Sequence, residues 1–276
     1  MHIPKACGTS LAAGLRAAIS PEIAIAGFDR VLFGSFADFH TLGAAERALV
    51  FDRADALPRQ AALVAGHFAC STLRTAFPDG QLIAVLREPV TRLMSLWMFW
   101  RRHTDAHLEG WGSWGAYVRK ARLPLAVFLA DPDLAAQTDN VATRMLLWPH
   151  DRILADGFID PAHDAFLLRL ARRRLDDFAF TGIAESPGVW ESLAIWLGRE
   201  LTMPRMNEAG SIPAGLQVPL ADELDGRCLA LLESRSRLDL ALWEWVATAS
   251  GCAAEDARRL ALLQHVARYA ALMAAA

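Results

Sequence analysis

Gln81-Leu82-Ile83-Ala84-Val85-Leu86-Arg87-Glu88-Pro89-Val90-Thr91-Arg92-Leu93-Met94-Ser95 is the stretch on which the fold turns. It opens with a short apolar run, Leu82 to Leu86, of the length a buried strand needs. Pro89 suits the first turn of a helix, where its missing N–H costs nothing. Beyond it, Leu93, Leu96, Trp97 and Trp100 recur at helical spacing as far as about His103. A strand running into a helix is the unit of a parallel α/β sheet, and such sheets bind ligands at the C-terminal ends of their strands. Arg87 stands at that end, with a guanidinium able to fork onto a phosphate, and Ser95 follows on the helix. A local Arg87–Glu88 pair and an ordinary helical serine would use the same residues.

The same grammar extends outward. Residues 61–65 form a second apolar run, ending in Gly66-His67, and 178–183 form a third. Helices are expected at Gly8–Ile19, stopped by Ser20-Pro21, and at 111–120, 124–130, 138–148, 161–175, 187–198, 222–232, 236–249 and Ala254–Ala274. Strands alternating with helices predict an α/β fold with a short parallel sheet covered on both faces and a helix-rich C-terminal part. One domain is expected over 1–276, with 221–276 as a helical C-terminal extension. A nucleotide-binding α/β fold normally begins with a strand feeding its phosphate loop. Here loop-like residues follow Met1 at once, so the first strand is expected to be missing before residue 1.

Composition narrows the classes. The chain has 276 residues, 54% of them hydrophobic, and a formal net charge of −3. That supplies a core and disfavours a nucleic-acid coat, while leaving room for local basic pockets. The cysteines, Cys7, Cys70, Cys228 and Cys252, lack the spacing of a disulfide framework or a zinc site, which points to a reducing, cytoplasmic setting. No run of about 18 apolar residues lacks a charge, so no membrane span is expected.

Pro4-Lys5-Ala6-Cys7-Gly8-Thr9-Ser10 is a second phosphate-site candidate. A lysine, small residues that let the backbone curl around an anion, and two hydroxyls open a helix whose free N–H groups carry partial positive charge. A helix cap beside a lysine is the plain alternative. The lysine precedes the glycine, so this is not the G-x-x-x-x-G-K-[ST] loop of ATP and GTP enzymes.

Taken together, these segments resemble the PAPS-dependent sulfotransferase family (PAPS is 3′-phosphoadenosine 5′-phosphosulfate), in the branch that includes carbohydrate 2-O-sulfotransferases and many bacterial relatives. His2 to Leu11 resembles the family's 5′-phosphosulfate loop, and Leu86 to Ser95 its 3′-phosphate motif. Ala65-Gly66-His67-Phe68 is similar to its Gly-His segment, Asp139 to Leu146 to its Asn-x-x-Thr-Arg helix, and Phe180 to Glu185 to its Gly-Ile/Leu-x-Glu strand end. Met206-Asn207-Glu208 falls where a late Asn-containing loop approaches the nucleotide. Ala6 and Cys7 depart from the usual loop, Ala6 by removing a hydroxyl donor. The stretch 23–57 carries no resemblance and is where acceptor specificity is expected.

The resemblance implies a P-loop-like three-layer fold and an O-sulfotransferase that moves a sulfuryl group from PAPS to a hydroxyl of a carbohydrate or other small acceptor. It implies Lys5 and His67 as catalytic residues: Lys5 on the bridging oxygen of the leaving phosphate, His67 as base. The donor would be held by Lys5, Ala6, Cys7, Gly8, Thr9 and Ser10 at its 5′ end and by Arg87 and Ser95 at its 3′-phosphate, with no metal. A P-loop kinase-like enzyme and a catalytically impaired nucleotide-binding protein are the alternatives.

Other features have plain readings first. His103 and His107 have the i, i+4 spacing of a zinc pair but lack a third ligand nearby. Trp97, Trp100, Trp111 and Trp114 serve as core or as an acceptor cleft. Arg169, Arg172, Arg173 and Arg174 read as a solvated face. Glu185 is expected to brace the phosphate arginine. The last helix is expected to pack, to form an oligomer, or to lie on a membrane surface.

Overall fold

The structure is a computed structural model that describes residues 1–204 and 212–274. The expected strand at 81–86 is β5, Ile83–Leu86, and it pairs in parallel with β6, Phe180–Ile183, Ile83 opposite Phe180 and Leu86 opposite Ile183. The helix beyond it runs Pro89–Arg101 with proline in its first turn, capped by the Glu88 carboxylate, which accepts the Thr91 N–H at 2.7 Å. Leu63–Val64 pairs in parallel with Ala24–Ile25, and Phe28–Asp29 with Val50–Phe51. In chain order these are β4 with β1, and β2 with β3.

Single hydrogen bonds link these short pairs. His67 N–H donates to Gly27 O at 2.9 Å and Asp29 N–H to His67 O at 2.8 Å, so β1 and β2 both run beside the chain that follows β4. His2 N–H donates to Gly66 O at 3.1 Å, and the Met1 amine to Ile83 O at 2.9 Å. Residues 1 and 2 therefore lie between the end of β4 and β5. They deliver Pro4 and Lys5 to the C-terminal edge of these strands.

Successive side chains of a strand face opposite ways, and β5 shows helices on both sides. Ala84 and Leu86 join a core with Met145, Leu167, Ala171, Leu242 and Trp243, contributed by helices Val141–Leu147, Asp164–Asp176 and Gly226–Ala249. Val85 packs the other way, with Leu11 and Leu15 of helix Gly8–Ile19 and Leu193 of helix Val189–Leu197. A second core gathers Leu93, Trp97, Trp100, Trp114, Phe128, Cys228 and Tyr269. The architecture is α/β, helix-rich with small parallel sheets.

Several boundaries differ from the sequence reading. The helices expected at 222–232 and 236–249 are one helix, Gly226–Ala249, because no glycine or proline separates them and Ser236 is buried within it. The helix expected at 138–148 starts at Val141, because Asn140 takes a left-handed conformation (φ 47°) that ends the preceding turn. The helix expected at 111–120 starts at Trp114, after Gly112 (φ 51°). Strands β1, β2 and β3 and helix Cys70–Ala76 were not anticipated. No helix among the described residues is long and apolar enough to cross a membrane.

Candidate functional site

The loop between residues 3 and 8 is unusual backbone. Lys5 (φ 67°) and Cys7 (φ 57°) both lie in the left-handed region without being glycine, at a cost of roughly 1–2 kcal/mol each. Such strain persists where the surroundings hold it, often at ligand sites. Here Ala6 N–H donates to Ile3 O at 3.1 Å, and Ile3 and Ala6 are buried in the core. Cys7 is the N-cap of helix Gly8–Ile19 and its side chain makes no cap hydrogen bond. A Cβ at Gly8 would run into the ring of His2, so the close approach of the two requires glycine.

This loop edges a cavity of about 600 Å³. Lys5, Cys7, Gly8, Thr9, Ser10, His67, Arg87 and Ser95, all expected from sequence, line it together. Ala6 does not, because its side chain points into the core. Arg87 Nη1 donates to the Lys5 carbonyl at 3.0 Å. Phe99 lies beneath two cations, with Lys5 Nζ 3.9 Å and the Arg102 guanidinium 4.5 Å from its ring centre. Lys5, Arg87, Arg102 and Arg268 surround a smaller cavity of about 40 Å³, roomier than the ~10–15 Å³ one water needs. None of these four makes an ion pair among the described residues, although ion pairs are plentiful elsewhere on the chain. Burial, followed by the neighbouring Arg102, Arg87 and Arg268, pulls the Lys5 ammonium down to about 7. Burial likewise pushes the Cys7 thiol up and the Arg87 guanidinium down.

His67 follows β4. Its Nδ1 lies 2.7 Å from the His2 carbonyl, which can only accept, so Nδ1 carries the hydrogen and Nε2 keeps its lone pair. Burial lowers this imidazole to about 4, and the nearby Lys5 and chain amine add to the effect. It is neutral at pH 7 and weakly basic, with Nε2 free of the hydrogen.

Glu185 makes no hydrogen bond or ion pair to Arg87 among the described residues. One oxygen accepts the Glu88 N–H at 2.8 Å, next to Arg87, and the other accepts the Trp243 indole N–H at 3.0 Å. The Asn140–Thr143–Arg144 segment lies away from the cavity and is structural. Asn140 Oδ1 accepts Leu238 N–H at 2.8 Å, Asp239 accepts from Ala142 N, Thr143 N and Thr143 Oγ1, and Arg144 pairs with buried Asp139 at 2.8 Å. Trp97 is wholly buried, whereas Trp100, Trp111 and Trp114 line the cavity. The His103 ring lies 5.1 Å from that of Trp111, tilted by 53°, and no cluster of three or more metal-ligating side chains occurs among the described residues. Arg169, Arg173 and Arg174 are exposed. Met206, Asn207 and Glu208 lie outside the described residues.

Sequence reasoning missed His2, Arg102, His265 and Arg268. His265 and Arg268 sit one turn apart on helix Ala254–Ala274, and that i, i+3 spacing was the available signal. His265 is 4% exposed, and neither of its ring nitrogens has a partner among the described residues. Burial, then Arg87 and Arg268, lowers it to about 3. Comparison with protein-family models, with curated proteins and with solved structures finds no significant match to this chain.

Proposed function

We propose that the chain is a PAPS-dependent O-sulfotransferase with a P-loop-like three-layer core. The observation that carries this reading is the convergence of Lys5, Arg87 and Arg268, which make no ion pair among the described residues, with the start of helix Gly8–Ile19 and a neutral histidine at one cavity, Arg102 joining the three cations at the smaller cavity beside it. Two anion stations fit a donor with phosphate at both its 5′ and 3′ ends. The loop Lys5–Ser10 and helix Gly8–Ile19 suit the first. Arg87 and Ser95, with Arg268, suit the second.

Sulfuryl transfer demands positioning and charge stabilisation more than covalent help from the protein. The acceptor oxygen bonds to sulfur while the bond from sulfur to the 5′-phosphate oxygen breaks, and that electron pair stays on the phosphate. The acceptor's proton passes to Nε2 of His67. Lys5 takes the charge developing on the leaving oxygen. A bound dianion raises the proton affinity of both His67 and Lys5, which restores basicity to one and charge to the other.

The test is thermal stabilisation by adenosine 3′,5′-bisphosphate, compared with AMP and with Mg-ATP. A ligand at 100 times its Kd adds about 2.7 kcal/mol to the native state. Selective stabilisation by the bisphosphate supports the reading. Stabilisation by Mg-ATP alone replaces it with a kinase, and binding of the bisphosphate without turnover on any acceptor leaves a nucleotide-binding protein.

A further inference from the structure

The cavity changes character away from its cations. Starting at His67, aromatic rings follow one another in contact: Phe28 at 5.3 Å from the imidazole, Phe33 at 6.3 Å from Phe28, Trp114 at 4.8 Å from Phe33, and Trp100 at 6.0 Å from Trp114. The three ring pairs after Phe28 meet edge to face, at 75°, 70° and 86°, so they form a curved wall. Leu49, 42% exposed, and Trp111 complete the lining on this side. Phe28, Phe33 and Leu49 belong to the stretch 23–57, where acceptor specificity is expected.

Polar groups are scarce along this wall. Among the described residues that line it beyond His67, Glu46 and Gln137 carry the only side-chain oxygens, the tryptophans add single indole N–H groups, and the Gln137 amide already donates to the Leu32 carbonyl. A sugar brings a hydroxyl on nearly every carbon, and each one buried without a partner costs affinity. A flat apolar molecule with a single hydroxyl leaves no such debt of unpaired groups: its ring system lies against the aromatic wall, and its one hydroxyl reaches His67, where the wall begins.

We infer that the acceptor is an apolar hydroxyl compound, a phenol or a fused-ring alcohol, and not a carbohydrate. This rests on the sulfotransferase reading above. The product is then an apolar sulfate ester, formed by the same step: the phenolic oxygen bonds to sulfur, the sulfur–phosphate bond breaks, and His67 takes the proton.

The experiment uses the whole chain with sulfur-labelled PAPS and two acceptor classes, 2-naphthol and a hydroxysteroid against an amino-sugar disaccharide, with calorimetric binding of adenosine 3′,5′-bisphosphate measured alongside. The expected result is a kcat/KM for naphthol at least about 10²-fold above that for the disaccharide. Leu49→Asp and Phe33→Leu are expected to raise the naphthol KM about tenfold while leaving bisphosphate affinity unchanged. Leu49 is already partly exposed, so its replacement is compatible with folding, and the melting temperature of each variant checks this. Sulfation of the disaccharide in preference to naphthol overturns the acceptor while the sulfotransferase reading stands. Weakened bisphosphate binding in both wall variants, with naphthol kinetics unchanged, assigns the wall to the donor's base and also overturns it. Absence of bisphosphate binding to the unaltered protein sinks the sulfotransferase reading, and the acceptor with it.

Discussion

Arg87 reaches back across the site to donate to the carbonyl of Lys5 at 3.0 Å, tying the end of β5 to a loop residue whose φ is 67°. On the proposed reading, one side chain thus serves both anion stations, by its charge at one and by holding the backbone of the other.

Arg87→Ala therefore affects both. Its Kd for adenosine 3′,5′-bisphosphate is expected to rise about 10- to 100-fold, since a hydrogen bond to a charged group is worth ~1.5–3 kcal/mol. AMP, which lacks the 3′-phosphate, is expected to lose affinity too, because the loop around Lys5 loosens. Titration calorimetry with both nucleotides measures this, and unchanged AMP affinity would contradict the tie.

Lys5 is held at about 7 in the free protein by burial and the three arginines around it. At pH 8 it is mostly neutral. A bound phosphate favours the ammonium, so nucleotide binding at pH 8 is expected to draw up to one proton from solution. Calorimetry in two buffers of different ionisation enthalpy reads that proton directly, and Lys5→Met is expected to abolish the uptake.

Acid is expected to destabilise the fold through its buried imidazoles, His67 and His265 among them. In the unfolded chain they bind protons near the ordinary imidazole value of 6.5, but in the folded state His67 does so only at about 4 and His265 at about 3. Between those limits the unfolded state binds more protons, so their contribution is present above pH 6.5 and is lost as pH falls through 4. Glu88 and Asp239, both pushed up by burial, act in the opposite direction. Comparing the chain with His265→Leu isolates one imidazole: the variant's stability, from urea unfolding at pH 7 and pH 5, is expected to fall less. The variant is also expected to melt higher without ligand, because it removes a buried group with no partner among the described residues.

Asp239 joins helices Val141–Leu147 and Gly226–Ala249 by accepting from Ala142 N, Thr143 N and Thr143 Oγ1 at 2.8–2.9 Å. Asp239→Ala is expected to cost about 3 kcal/mol or more, through the buried donors it leaves unsatisfied. Urea unfolding measures the loss. Nucleotide affinity of the folded variant should not change, which separates this structural motif from the site.

Strong local signals were legible in the sequence. Pro89 at a helix start, the apolar run that became β5, and the Ser20-Pro21 stop after Gly8–Ile19 all act within a few residues, and the structure keeps them. Strands β1, β2 and β3 are each two residues long, too short to show a period, and exist because neighbouring backbone supplies their partners. The cavity-lining residues of the loop, with Arg87 and Ser95, were legible from residue type and place in the chain, and His67 only through the resemblance. His265 and Arg268 were not, because a helix written in alanine, leucine and arginine does not announce which turn it lays over a site.

The sequence by itself determined the alternation of strand and helix, and it placed a lysine loop and an arginine at strand ends. Both follow from periodicity and from the stereochemistry of proline and glycine, which are local. Only the tertiary structure decided that Lys5, Arg87, Arg102 and Arg268 share one space, that residues 1 and 2 bridge β4 to β5, and that Phe28, Phe33, Trp100 and Trp114 form a wall leading from His67. Those relationships join residues far apart in the chain, and burial and charge acquire their effect on a group only once its neighbours are in place.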